Sequence, residues 1–483
     1  MTISKKKSTK SSSSTTTPAT KISKGKKTKS TPLPRTYSTV LRHLLTRTNY
    51  ERVRVVNYDE KTFKLDRMRK VLRKMGNPHE TLRMIHVAGT VGKGSTVGML
   101  ASMLKQCGFT VGTFTSPHMV NVTERIAING VPISESAFTS LMRDVIQAAD
   151  ATEKTTTFFE LITAAAIKHF ADEAVDIAII EVGLGGRLDS TNVITPEITL
   201  LTTIDLDHKR ILGTTIEEIA KEKAGIMKPG VPCFSVPQNP AVAAVLREHA
   251  ELIECPLQII GEEIEFSSRF GVSDELGPHT RICLITDHNQ YMHLPVPLQG
   301  EHQGMNCAVA LTASSHLQIT EPSITDAPLF RGLAETKIAG RMEIVWEQPR
   351  ILVDGAHNPI ALATLMRSVG AHVAYDSMVC IFGCCEDKDV DTMLDNLAIG
   401  GDKIIFTAAS GQPRAVEPSE LRRRFIERRG RSCQIADNIE EALEIAARAA
   451  SRDDLICVTG SFYLVGETKK HLTKLKARRK VTA

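Results

Sequence analysis

Residues 84–109 read MIHVAGTVGKGSTVGMLASMLKQCGF, and no other stretch restricts the fold as tightly. The apolar run Met84, Ile85, Val87 and Ala88 predicts a buried strand, and Gly89 stops it. Leu100, Met103, Leu104 and Cys107 then recur at helical spacing. Between strand and helix lies Gly89-Thr90-Val91-Gly92-Lys93-Gly94, followed by Ser95 and Thr96. Such a loop binds phosphate because glycines let backbone N–H groups approach the oxygens, and the helix N-terminus adds unpaired donors. Lys93 is placed to reach the outer phosphates, and Ser95 or Thr96 to touch a magnesium ion. The pattern is GTxGKG[ST] rather than GxxxxGK[ST], because Gly94 separates Lys93 from Ser95.

A chain of 483 residues, 42% of them hydrophobic, has room for two or three domains with full cores. A net charge of +5 is too small at this length to indicate a nucleic-acid partner. Much of that excess lies in residues 1–36, a Lys-, Ser- and Thr-rich segment expected to be a disordered tail, and no Asp or Glu precedes Glu51. The ten cysteines form no CxxC pair, which fits buried thiols in a reducing cytoplasm. No apolar run approaches the ~20 residues of a membrane span, and no secretory signal is visible.

From Tyr37 the pattern is globular. Helices are expected near Leu41–Leu45 and Leu65–Leu72, the second ending at Gly76. Val111–Phe114 reads as a strand leading to Ser116, and Asn129-Gly130 as a tight turn. Thr157 and Glu160 have capping-box spacing at the start of a helix. Ile177–Ile180 is a continuous apolar strand with Glu181 at its end, and Asp205, Asp207 and His208 follow another. The helix in IEEIAKEKAGIMKPG is expected to stop at Lys228-Pro229-Gly230. Residues 255–300 carry the shorter alternation of antiparallel pairs, and GEHQGMNCAVALTAS is helical. Past Phe330 four strand-like runs, each followed by a helical pattern, predict a second α/β unit. The arginines between Arg422 and Arg431 read as a solvated helix face. The fold class is therefore α/β: an N-terminal P-loop-type parallel-sheet ATPase domain over 37–330 and a smaller Rossmann-like domain over 331–483.

In parallel α/β sheets ligands sit beyond the carboxyl ends of the strands. Here those ends carry the glycine-rich loop, Ser116, Glu181 and His208, a set suited to magnesium beside a triphosphate. These residues and the runs TSPHMVNVTERIAING, TFFELIT, EVGLGGRLDSTN, DHKRILG, IAKEKAGIMKPG, GEHQGMNCA, AGRMEI, VDGAHNP, Asp387–Asp389 and TGSFYLVGE fall in one order along nearly the whole chain from Tyr37. In that order they resemble folylpolyglutamate synthase/dihydrofolate synthase, of the Mur-ligase superfamily.

The resemblance implies an ATP-dependent ligase that activates a carboxylate as an acyl phosphate and joins it to L-glutamate. The acceptor would be dihydropteroate, a reduced folate, or both. It implies Lys93, Lys223 and His208 as catalytic residues, with Lys223 carrying a carbamate. Nucleotide contacts would come from Gly89, Thr90, Gly92, Lys93, Gly94, Ser95, Thr96, Asn306, Arg341 and Asp354, and magnesium ligands from Ser116, Glu181 and His208. His357 and Ser461 would line the cleft. Thr157, Phe158, Phe159, Glu160, Leu188, Asp189 and Ser190 match the segments that contact the pteroate; one of the two phenylalanines would form an apolar wall and Asp189 would pair with ring nitrogens. A monomer without nucleic-acid or membrane partners is expected. Val91 departs from the usual Asn, Ser190 from the common Ala, and Lys209-Arg210 makes the segment after His208 unusually basic. A Mur-type ligase acting on a cell-wall precursor is the alternative.

Overall fold

A computed structural model describes residues 33–51, 59–60, 62–152 and 155–482. The expected tail falls almost wholly outside these residues. Its last members do not, since Thr36 caps the first helix, α1 (Tyr37–Leu45), in a reciprocal box with Thr39.

The first half is built on an eight-stranded sheet. After α2 (Leu65–Lys74), β1 (Met84–Ala88) runs into α3 (Lys93–Gln106), and β2 (Val111–Phe114) follows. β3 (Ile126–Ile128) and β4 (Val131–Pro132) turn through Asn129-Gly130, both at positive φ, as the sequence required. Helices α4 (Glu135–Thr152) and α5 (Phe158–Asp172) lead to β5 (Ile177–Glu181) and β6 (Ile198–Leu201). Then come α6 (Lys209–Leu212), α7 (Ile216–Ala224), β7 (Cys233–Ser235), α8 (Pro240–Leu252) and β8 (Leu257–Ile259). The order is β4-β3-β2-β5-β1-β6-β7-β8, and β2 through β8 along it are parallel. The residues of β1, β5 and β6 are buried throughout, because helices cover both faces; hence their largely apolar runs, broken only by His86 and Thr199 and closed by Glu181. β8 corrects one expectation, since residues 257–259 extend the parallel sheet and antiparallel pairing begins only afterwards. Helix α7 also stops early, at Ala224, where Asn192 Nδ2 takes the Gly225 carbonyl at 2.9 Å.

A separate antiparallel sheet follows: β9 (Glu265–Ser273), β10 (Gly277–Ile285) and β11 (Gln290–Val296). Its inward residues Ile282, Leu284 and Tyr291 join the core around α9 (Glu301–Leu317). Helix α10 (Asp326–Ala334) crosses the expected boundary at 330 and packs on α3, where Ser102 Oγ donates to the Gly332 carbonyl at 2.6 Å. The first half therefore extends past 330, because α10 is needed to cover α3.

The second half begins with β12 (Glu343–Glu347), antiparallel to β13 (Arg350–Val353). It continues through α11 (Pro359–His372), β14 (Met378–Phe382), α12 (Val390–Gly400), β15 (Lys403–Phe406), α13 (Pro418–Arg429), β16 (Gln434–Ile435), α14 (Ile439–Ala449), β17 (Leu455–Thr459) and α15 (Phe462–Thr482). The sheet order is β12-β13-β17-β14-β15-β16, parallel from β13 onward. Phe382, Phe406 and Phe425 meet edge-on in its core. The arginines of α13 do form a solvent-side face, on which Arg423 and Arg424 pair with Glu420, and Arg428 and Arg429 with Asp395. No described helix is long and apolar enough to cross a membrane.

Candidate active site

The carboxyl ends of β1, β2, β5 and β6 open on a cavity whose far wall comes from loops of the second sheet. Gly89 and Gly92 take φ of 151° and 97°, values that L side chains avoid. A Cβ on Gly89 would also overlap the Thr202 hydroxyl, and one on Gly92 the Asn306 amide. Thr90 pins the loop: its N–H donates to Thr203 O at 2.7 Å, and its hydroxyl both donates to and accepts from the Asp205 backbone at 3.0 Å. The Val91 N–H donates to Thr203 O at 3.2 Å, so valine at this position leaves the loop backbone tied. The opening N–H groups of α3 point from the same loop without intrahelical partners. Ser95 and Thr96 are buried under it, and the Thr96 hydroxyl has no partner among the described residues.

Two ammonium groups converge here. Lys93 Nζ donates to the Gly89 and Thr90 carbonyls at 3.1 and 3.4 Å and stands 4.0 Å from Glu181. Lys223 Nζ donates to the same Gly89 carbonyl at 2.9 Å. Burial lowers the pKa of Lys93. Burial, with the Lys93 charge beside it, pushes Lys223 down to about 7. Burial pushes the Glu181 carboxyl up, against the pull of Lys93 and of the Ser116 N–H at 3.2 Å. His208 sits at φ 51° ahead of α6, lines the cavity, and is pushed down to about 3 by burial and Lys388, so its imidazole is neutral.

Asp207 and Lys388 join the two halves. Lys388 Nζ lies 2.6 Å from Asp207 Oδ1, and Asn358 Nδ2 donates to Oδ2 at 3.2 Å. Burial alone would raise the Asp207 pKa, but the Lys388 charge holds it well below the usual range. Lys388 in turn is raised above its ordinary value, because Asp207 and Asp387 outweigh its desolvation. Arg414 stands 3.2 Å from Asp387 on the same wall. The sequence passed over this cluster: Asp207 was visible only as a strand-end acid, and Lys388 only within the run Asp387–Asp389.

The expected acceptor segment divides. Phe159 lines the cavity with its ring against Gly183, whereas Phe158 is buried away from it, under the Arg125 guanidinium at 5.3 Å. Thr157 accepts from the Glu160 N–H at 3.2 Å, the capping box read from the sequence. The Glu160 carboxylate is also held at 2.8 Å by Arg67, a buried pair that local spacing could not reveal. Asp189 is buried and occupied: its oxygens take the Thr191 N–H at 3.0 Å, the Thr191 hydroxyl and the Leu184 N–H at 2.9 Å. Its work in this structure is to cap the turn after EVGLGG, and burial raises its pKa. Leu188 and Ser190 line the cavity, with Ser190 Oγ 3.1 Å from Thr163 Oγ1.

Across the cleft Arg341 stacks at 4.8 Å on Phe462, and His357, Ser461 and Arg341 all line the cavity. Asp354 and Asn306 do not. Asp354 accepts from the Met342 and Ala356 N–H groups at 2.9 and 2.8 Å, and Asn306 donates to Gln303 at 3.0 Å beneath the loop. Both are buried supports of the wall in this structure.

Two family models match the chain: Mur ligase middle domain over residues 87–314 and Mur ligase, glutamate ligase domain over 340–462. The chain is 34% identical to the dihydrofolate synthase/folylpolyglutamate synthase of Bacillus subtilis, over 84% of this chain and 94% of that one. The chain belongs to the folylpolyglutamate synthase/dihydrofolate synthase family. It is therefore an ATP-dependent ligase. It is also 34% identical to a probable dihydrofolate synthetase of Schizosaccharomyces pombe, covering 84% and 98% of the two chains. Among solved structures, Escherichia coli FolC in complex with DHPP and ADP superposes with a TM-score of 0.80 at 29% identity, over 93% of this chain and 100% of that one. Mycobacterium tuberculosis folylpolyglutamate synthase complexed with ADP also gives 0.80 at 29%, over 89% and 97%. The named relatives handle folates, which disfavours a cell-wall precursor as acceptor.

Proposed function

We propose that this ligase joins L-glutamate to both dihydropteroate and reduced folates, activating the acceptor carboxylate as an acyl phosphate. The observation that carries the proposal is the meeting of Lys93 and Lys223 at the Gly89 carbonyl, opposite the apolar wall of Phe159 and Leu188. A triphosphate and a carboxylate repel each other, and in-line transfer between them requires fixed positive charge. Lys93, Arg341 and the N-terminus of α3 supply it from this chain. An adenine nucleotide suits the glycine-rich loop, where the first-turn N–H groups and the Thr96 hydroxyl, without a partner among the described residues, can meet acceptors.

The donor types of Ser116, Glu181 and His208 suit a magnesium ion: one hydroxyl, one carboxylate, and an imidazole kept neutral with no hydrogen bond from its ring to a described residue. Bound there, the metal would supply charge neutralisation for the transferring phosphoryl group. Lys223 is suited to carry a carbamate. An amine with pKa about 7 is substantially unprotonated at neutral pH, and only that form adds CO2. The N–C bond forms, a proton leaves, and the resulting anion lies beside the Lys93 ammonium. Both walls of the cleft come from one chain, so a monomer suffices for the chemistry.

Phosphate release coupled separately to dihydropteroate and to tetrahydrofolate, with glutamate and ATP saturating, tests the reading. Turnover with both is expected. Turnover with tetrahydrofolate alone would confine the enzyme to polyglutamylation.

A further inference from the structure

Outside the cleft, the outer face of the antiparallel sheet gathers an unusual set. The register of β9 against β10 sets Arg269 directly opposite Arg281. Like charges in that position destabilise a strand pair. Neither has an acidic partner within ion-pair distance among the described residues; Arg281 Nε donates to His279 Nε2 at 2.8 Å. The contrast with α13 is plain, since four arginines there pair with acids. Two positions along β10, on the same face as Arg281, stands Cys283. Its Sγ is 3.6 Å from His293 Nδ1 and accepts the His293 N–H at 3.4 Å. The bulge between β10 and β11, with His293 at φ 55°, brings the imidazole there. Arg269, Arg281, Cys283 and His293 line one shallow pocket. Of the ten cysteines seven are buried, and the other two half-exposed thiols, Cys107 and Cys433, are pushed up by burial.

We infer that Cys283 is a site of reversible S-thiolation by small anionic disulfides, with Arg269 and Arg281 recognising the carboxylates of the incoming disulfide and His293 holding the thiol proton. The Cys283 thiolate attacks one sulfur of the disulfide, a new S–S bond forms, and the old one breaks. The departing thiolate takes up the proton released from Cys283. The thiolate is the attacking species, and the two guanidinium groups that share its pocket draw an anionic disulfide to the sulfur. The adduct projects to solvent from the face opposite α9, so the core needs no rearrangement to accept it.

The test is to incubate the full chain with glutathione disulfide, and in parallel with uncharged hydroxyethyl disulfide, and to map adducts by peptide mass spectrometry over time. Cys283 is expected to react first with glutathione disulfide, at least about tenfold faster than Cys107 or Cys433. The double variant R269Q/R281Q should lose that advantage with glutathione disulfide but not with hydroxyethyl disulfide. Added salt should slow only the charged reagent in the wild type. His293→Gln should slow both reagents. Adducts spread evenly over the three half-exposed cysteines would overturn the inference. So would equal rates for the wild type and R269Q/R281Q with glutathione disulfide.

Discussion

The two walls of the cleft treat buried cations in opposite ways. On the first wall Lys93 and Lys223 hold only carbonyl oxygens at hydrogen-bond distance, and burial lowers the pKa of both. On the second wall Lys388 holds Asp207 at 2.6 Å, and its pKa is raised. A buried charge without a partner is costly, and a paired one is costly to break. The first arrangement suits the polyanion proposed to bind there. The second ties the two halves of the chain together. The comparison teaches that a buried lysine's partner, not its burial, decides whether its pKa falls or rises.

The largest effect should come from breaking the paired wall. Lys388→Met leaves Asp207 buried with Asn358 alone as a side-chain donor, and a loss of about 3–5 kcal/mol is expected in urea unfolding. A loss under about 1 kcal/mol would mean that the cross-cleft pair does not hold the halves together. Next comes the other wall. Lys93→Ala should lower ligation at least about 100-fold at saturating substrates, as for loss of a donor to developing negative charge, while barely changing the unfolding midpoint. Near-normal turnover would remove Lys93 from the phosphate site.

Lys223 sharpens the contrast through pH. Its pKa falls from 10.5 to about 7 on folding, so between those values the unfolded chain binds more protons than the folded one. Stability from this group therefore rises with pH across that window, the reverse of what a partnered lysine contributes. Melting temperatures in CO2-free buffer should show the rise in the wild type and lose it in Lys223→Met; parallel profiles would place the ammonium in water. The smallest effect concerns a residue on neither side of the contrast. Thr157→Ala removes the cap of α5 and should cost about 1 kcal/mol in thermal unfolding.

Local pattern accounts for much of this molecule. The strand, loop and helix at 84–106, the Asn129-Gly130 turn, the Thr157 capping box and the parallel strands ending at Glu181 and before Asp207 all follow from periodicity and turn chemistry acting over a few residues. The sequence by itself also determined that glycines, Lys93 and hydroxyls would share one strand-to-helix turn at those strand ends, the arrangement on which the proposed phosphate site rests. Tertiary structure decided what each side chain is free to do. Phe158 and Phe159 are neighbours in sequence, yet one lies under Arg125 and the other lines the cavity. Asp189 and Asp354 both read as ligands; Asp189 does line the cavity while its oxygens also take the Thr191 and Leu184 N–H groups, whereas Asp354 is buried behind the wall under the Met342 and Ala356 N–H groups. Arg67 meets Glu160, and Lys388 meets Asp207, across 93 and 181 residues of chain. Such pairings depend on which surfaces two sheets and their helices bring together, and local spacing carries no record of them.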